Sequence, residues 1–293
     1  MSSTVSADLG ARRAALRRAY IAACRGELEA LKPGNVHIHA AGHGMSVEDF
    51  RVSARVSAAP LTVPGGAVGR RILEAVAATR EAVGCNTNLG IVLLAAPLLA
   101  AAEGAARCGL RASLAGVLAR LTVADAVAAY EAIRLAAPAG LGRVAEQDAA
   151  ATPTVDLRRA MTLAAGRDSI ARQYATDYAG VFDIGVAGLR AQQAANVDPK
   201  WATSHIYMNF LATFPDSHIL RKHGTAAAEM ARAEAAALVQ ALAHAAPDGR
   251  RAALLAFDQS LKQRGLNPGS SADLTVASLL ALACENILSS QRK

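Results

Sequence analysis

Apolar residues recur at three- and four-residue spacing along most of this chain, and short polar clusters separate the runs. Residues 8–31 set arginines on one face and Leu16, Tyr20, Ala23 and Leu31 on others, the pattern of a surface amphipathic helix. Lys32-Pro33-Gly34 stops it. Ser46 and Asp49 form a capping pair that starts a helix through Ala59, and Pro60 and Pro64-Gly65-Gly66 break it. A helix is predicted from Val68 to Val83, ended by Gly84. The apolar run Ile91–Ala102 reads as a buried core helix, being short and interrupted by Pro97. Thr122 and Asp125 cap a helix carrying Tyr130 and Ile133, closed by Pro138-Ala139-Gly140-Leu141-Gly142. Helical patterns then cover 155–179, 200–214, 217–246 (broken near Gly224), 250–264 and Ser271–Ser289. No strand pattern, repeat or long linker stands out. The expectation is an all-α protein, a single compact multi-helix domain over residues 1–293 whose polar loops converge on one pocket.

Composition agrees with that. Of 293 residues, 53 % are hydrophobic but only 4 % aromatic, so alanine and leucine must do the packing. Lys and Arg number 31 against 24 Asp and Glu, a net charge of +7. The excess is arginine spread along helices, without the dense, aromatic-interleaved patch of a nucleic-acid binder, which favours anionic small molecules. Cys24, Cys85, Cys108 and Cys284 lack paired spacing, as expected of reduced thiols in a cytoplasmic protein. Neither a signal peptide nor a membrane span is expected. The alanine-rich helical surface admits a homodimer.

The polar clusters carry the candidate chemistry. Leu266-Asn267-Pro268-Gly269-Ser270-Ser271-Ala272-Asp273 is a tight loop opening into a helix. Orphan amides and the helix dipole make such a start an anion site, and Asp273 fits a cation lying between it and that anion. An ordinary turn with an N-cap is the plainer alternative. Asn86-Thr87-Asn88 precede the apolar helix, and capping accounts for one of the three. In the stretch 167–178, Arg167, Tyr174 and Asp177 fall roughly on one stripe, suited to a metal-bridged polyphosphate, while Asp168 and Arg172 have the spacing of an exposed ion pair. Pro215 to Gly224 packs Asp216, Ser217, Arg221 and Lys222 together with two histidines. Asp216 there can simply cap a helix. His37, His39 and His43 share one loop but lack the cysteines or helical pair usual for structural zinc, so a base or phosphate donor is a better reading than a metal site, and a solvated loop a better one still.

In this order the residues resemble the triphosphoribosyl-dephospho-CoA synthase family, through Lys32-Pro33-Gly34, Asn86-Thr87-x-x-Gly90 and Pro268-Gly269-x-Ser271-Ala272-Asp273-Leu274. The chain is most similar to a branch found in methanogenic archaea and methylotrophic bacteria, whose five motifs correspond to residues 32–36, 86–90, 167–177, 215–222 and 266–274. It departs from the citrate-lyase type at His37, at Gly42-His43-Gly44-Met45 and at Asn88-Leu89. The resemblance implies an all-α enzyme that moves a 5-phosphorylated ribosyl group from ATP, or from phosphoribosyl pyrophosphate, to an alcohol acceptor. The branch implies an acceptor in methanopterin- or furan-type cofactor biosynthesis; dephospho-CoA, with release of adenine, is the alternative.

On that basis Mg²⁺ is expected at Asp177, Asp273 and Asp216, with Asp177, Asp273 and the base His37 as catalytic groups. Lys32, Arg167, Arg172, Arg221 and Lys222 are expected at phosphate oxygens, with Ser270, Ser271 and the Gly269 amide. Asn86, Thr87 and Asn88 are expected at ribose or acceptor. Gly34, Asn35, Asp168, Tyr174, Ser217 and Asn267 complete the expected site. A carrier that binds without reacting and a hydrolase that uses water as acceptor are the rival functions.

Overall fold

The computed structural model describes residues 2–38, 44–104, 108–138, 146–243 and 245–290. His39, His43 and most of the Pro138–Gly142 closure lie outside them. The described residues form thirteen α-helices and one π-helical turn, a single compact all-α fold. In chain order these are α1 (Ser2–Glu29), α2 (Val47–Leu61), α3 (Val68–Val83), α4 (Leu89–Gly104), α5 (Leu110–Ala119), α6 (Val123–Ala136), α7 (Leu157–Ala164) and α8 (Ser169–Ala175). The π-turn (Gly180–Val186) follows, then α9 (Ala187–Ala194), α10 (Pro199–Thr213), α11 (Ser217–Leu242), α12 (Pro247–Gln263) and α13 (Gly269–Ser290).

Local signals set many boundaries. Ser46 with Asp49 and Thr122 with Asp125 form complete capping boxes at the starts of α2 and α6. Gly84 ends α3 in the left-handed conformation, and Gly224 breaks α11 at φ 82°. Three expectations are corrected. Pro60 sits inside the last turn of α2 rather than breaking it. The predicted helix 155–179 divides into α7 and α8, because Asp168 accepts from the amides of Ile170 and Ala171 and starts a new helix. The helices α5 and α9 carry no strong sequence pattern and were not expected.

Helix α13 is the axis of the fold, packing against α1, α4, α10 and the π-turn. It is also the one described helix long and apolar enough to cross a membrane by composition, although 67 % of its most apolar window is buried inside the fold. Two apolar clusters form the core. The larger spans α1 to α10 and α13, and the smaller gathers α10, α11 and α12; α10 and α13 contribute to both.

Helix α4 is nearly all buried and contains Pro97. Proline has no N–H, so the Leu93 carbonyl one turn earlier loses its helical donor. The Tyr174 hydroxyl donates to that carbonyl at 2.6 Å, and Tyr178 donates to the Leu94 carbonyl at 3.2 Å. Tyr174 is therefore a structural donor in the core, which corrects its assignment to substrate.

Candidate functional site

The N-termini of α4, α8, α11 and α13 converge on one cavity of about 400 Å³. The residues just before these starts and within the first five positions after them contribute Asn86 to Gly90, Asp168 and Ile170, His218 and Arg221, and Gly269, Ser270 and Asp273 to its wall. Each helix start brings the partial positive charge of its dipole, although caps within the chain already accept from many of its first amides. Arg167, Arg221 and Lys222 line the cavity as well and add full charges. Phe50, Tyr130, Ile133 and Met161 add apolar surface to its lining.

The loops are fastened to one another through their polar residues. Asp216, almost wholly buried, accepts at Oδ1 from the amides of His218 and Ile219, and at Oδ2 from the amide and hydroxyl of Ser271. One carboxylate thereby caps both α11 and α13. The Ser217 amide donates to Ser270 Oγ at 2.9 Å, and Ser217 Oγ accepts from the Ser169 amide at 3.2 Å. Arg221 donates to Asp168 Oδ2 at 2.8 Å, so the partner of Asp168 is Arg221 and not Arg172.

Asn86 Oδ1 accepts the Leu89 amide and caps α4, while Thr87 and Asn88 bond to Ser53 and Ser57 of α2. Asn88 Oδ1 is buried without a hydrogen-bond partner among the described residues, as is Arg221 Nε. Two orphaned polar atoms at the wall of one cavity point to a polar ligand.

The Lys32-Pro33-Gly34-Asn35 turn packs beneath the α13 loop. Gly34 adopts φ 82°, and a Cβ there would meet Pro268 Cδ at 2.8 Å, so only glycine fits. The Gly34 amide donates to Asp258 Oδ1, Tyr207 donates to the Pro33 carbonyl, and Asn35 donates to Asn267 Oδ1. Asn35 and Asn267 both line the cavity. Lys32 is buried and donates to Glu27 and to Asn35 Oδ1. Glu27, which the sequence pattern presents as one more charge on an amphipathic helix, lines the cavity.

Asp273 also reaches the cavity, and a Cβ on Gly90 would fall 2.0 Å from its Oδ2, so α4 approaches that carboxylate as closely as glycine allows. Burial, then the charges of Glu27 and Asp216, push the Asp273 carboxyl well above the usual carboxylate range. Burial raises Glu27 too, with Lys32 opposing, and burial lowers Lys32, with Glu27 opposing. Burial pushes the nearby Cys24 thiol up to about 12, which keeps it protonated and a poor nucleophile.

Several expected site residues lie elsewhere. Asp177 takes a left-handed φ of 49°, which aspartate tolerates, and pairs with Arg158 at 2.8 Å outside the cavity. Arg172 stacks its guanidinium over Phe214 at 5.1 Å. His37 is fully buried, 3.4 Å from Asp258, and does not line the cavity. Ser271 and Ser217 hold loops together, and the Ser270 hydroxyl accepts a loop amide, although Ser270 does line the wall. Of the three carboxylates expected at Mg²⁺, only Asp273 reaches the cavity: Asp177 is remote and Asp216 is committed to four donors. Among the described residues no three acidic, histidine or cysteine side chains form a metal cluster. Among the described residues, Asp177, Asp216 and Asp273 are therefore not brought together as one metal site.

The family profile for CitG, ATP:dephospho-CoA triphosphoribosyl transferase, matches residues 13–292. The chain belongs to that family. Membership makes it an enzyme of phosphoribosyl transfer, in agreement with the sequence resemblance. A crystal structure from Archaeoglobus fulgidus, provisionally assigned as a triphosphoribosyl-dephospho-CoA synthase, superposes with a TM-score of 0.62 at 22 % identity. The match covers 80 % of this chain and 97 % of that one, and it shows a shared fold. No curated protein matches the chain.

Proposed function

We propose that this chain transfers the triphosphoribosyl unit of ATP to a hydroxyl of a cytoplasmic cofactor precursor, releasing adenine. The observation that carries the reading is the convergence of four helix N-termini, Arg167, Arg221 and Lys222 on a cavity that also holds Asp273. Arg167, Arg221 and Lys222 suit the triphosphate, and the orphaned Arg221 Nε and Asn88 Oδ1 suit its oxygens and the ribose hydroxyls respectively. The apolar wall at Tyr130, Ile133 and Met161 suits a flat heterocycle.

Substitution at the anomeric carbon builds positive charge on C1′ and the ring oxygen. Asp273 makes no hydrogen bond or ion pair among the described residues, so its carboxylate is available to face that charge. Mg²⁺ bound to the triphosphate would offset phosphate charge; no step is assigned to a metal held by the protein.

For the acceptor we favour an alcohol of the methanopterin type. Its support is the set of five branch motifs, each of which lines the cavity or braces a loop that does. Dephospho-CoA, the acceptor of the family as a whole, is the rival. Incubation with ATP, Mg²⁺ and each acceptor in turn, with free adenine as the readout, separates them. Adenine with the ribitol-bearing pterin alone is the expected result, and adenine with dephospho-CoA alone overturns the acceptor. Adenine with neither, but pyrophosphate from phosphoribosyl pyrophosphate, overturns the donor.

A further inference from the structure

We propose that Glu27, with Lys32 buried behind it, receives the proton of the acceptor hydroxyl. This assignment rests on the transfer reading above. Glu27 is 4 % exposed and Lys32 1 %, yet Glu27 lines the cavity and Lys32 does not. A buried ion pair is seldom a net source of stability, because both charges lose their water. This one is not needed to hold its turn, which Gly34–Asp258, Tyr207–Pro33 and Asn35–Asn267 already fasten. The pair is therefore a structural expense at the wall of a cavity, where perturbed charges serve chemistry.

The competing carboxylates are otherwise engaged or placed: Glu146 is exposed to solvent, and Asp148 accepts the Ala150 amide. Asp168 accepts from Arg221 and from two helix amides, and Asp216 accepts from four donors. Asp273 has no cation bonded to it and is suited to the charge at C1′. The groups whose charges Glu27 meets are Lys32 from the turn, Asp273 from α13, Cys24 from its own helix and Tyr207 from α10. The thiol and the phenol are both held protonated by burial, so Lys32 is the cation in that set.

The step balances as follows. The acceptor O–H bond breaks as the new C1′–O bond forms, and the proton passes to the Glu27 carboxylate. Adenine leaves with the electron pair of the C1′–N bond. The proton then leaves Glu27, and adenine is neutralised by one proton, so none is gained overall. Lys32, one hydrogen bond behind, opposes the upward push of burial on Glu27 and is a positioning residue.

The test measures adenine release from ATP, with dephospho-CoA and the pterin alcohol as acceptors, across pH for wild type and Glu27→Gln. The expected loss in kcat is about 10²- to 10⁴-fold, with the KM for ATP within about threefold. The acid limb of the wild-type profile should vanish, and formate should restore part of the rate in Glu27→Ala. The double variant Glu27→Gln, Lys32→Met removes both charges of the pair and strands neither; it should fold and stay inactive. A Glu27→Gln enzyme within about tenfold of wild type with the same acid limb overturns the assignment. So does a loss confined to ATP affinity with no formate rescue. A wild type that releases no adenine with either acceptor overturns the transfer reading instead, and is told apart because no variant is involved.

Discussion

Replacing Asp216 by alanine separates a structural carboxylate from a metal ligand. Asp216 is 1 % exposed, and its two oxygens accept four hydrogen bonds at the starts of α11 and α13. Loss of one N-cap costs about 0.5–2 kcal/mol, and here two helices lose theirs together. The buried Ser271 amide and hydroxyl are also left without an acceptor, at about 1–3 kcal/mol if no water reaches them. A destabilisation of about 3 kcal/mol is a fair centre for these overlapping terms. At about 2.1 cal/mol/K per residue, the unfolding entropy of 293 residues is about 0.6 kcal/mol/K, so Tm should fall by about 5 °C. Asp216→Asn keeps the carbonyl that accepts from His218 and Ile219 but turns an N–H toward Ser271, and should fall about half as far. The assay is a melting curve without nucleotide or metal, with adenine release titrated against Mg²⁺ beside it. A Tm within about 1 °C of wild type, combined with a weakened Mg²⁺ requirement, would refute the reasoning and return Asp216 to the metal.

Tyr174→Phe should cost about 1–3 kcal/mol, by leaving the Leu93 carbonyl unpaired, and should leave the KM for ATP unchanged in steady-state assays. Asp177→Ala removes a half-exposed ion pair and should change Tm and turnover little, within about 0.5 kcal/mol; loss of adenine release would restore Asp177 to the site. Gly90→Ala should lower kcat about 10²-fold or more, because its Cβ would displace the Asp273 carboxylate, and adenine release reads it. For Asp273→Asn the effects divide. A carboxyl whose folded pKa is raised takes stability away as pH climbs from the usual carboxylate range through that elevated value. The amide cannot ionise, so the variant should melt higher than wild type at pH 7–8 while losing transfer by about 10²-fold or more. A melting point below wild type at that pH contradicts the burial argument.

How legible the molecule was depends on how far each determinant reaches along the chain. The capping boxes at Ser46 and Thr122 and the left-handed Gly84 need only neighbours three or four residues away, and they stand where the pattern put them. The loops at 32–35, 86–90, 167–168, 218–222 and 267–273 were recognisable as dense in polar groups, and residues from most of them line the cavity. What was hidden came from contacts made across the fold. Tyr174 looks like a ligand until Pro97, 77 positions away, is seen to strip a donor from α4. Asp168 has an arginine at helical spacing, yet it bonds to one on α11, because it caps α8 rather than lying within a longer helix. Glu27 was overlooked for the opposite reason: it is one charge among many on an arginine-rich helix, and only the packing of α1 against α13 buries it. Its spacing from Lys32, with both flanking the end of α1, was the one available signal.

The division of labour among the acidic residues follows from the same geometry. An aspartate just before a helix has amides in front of it, and Asp216 and Asp168 are consumed by them. Asp273 is the fifth residue of α13, beyond its first turn, so its carboxylate is not drawn back onto the amides at the start of its own helix. Packed against Gly90 and short of hydrogen bonds, it has a charged form that burial disfavours and the fold does not satisfy. Glu27 is satisfied only by a lysine that burial makes reluctant to stay charged. Caps stabilise the helix starts, and the two buried carboxylates left over at the cavity, Glu27 and Asp273, are the ones at which charge or a proton can change during a reaction. A family of loops that look alike in sequence thus separates into braces and chemistry by one criterion, which is whether a carboxylate's acceptors are already filled.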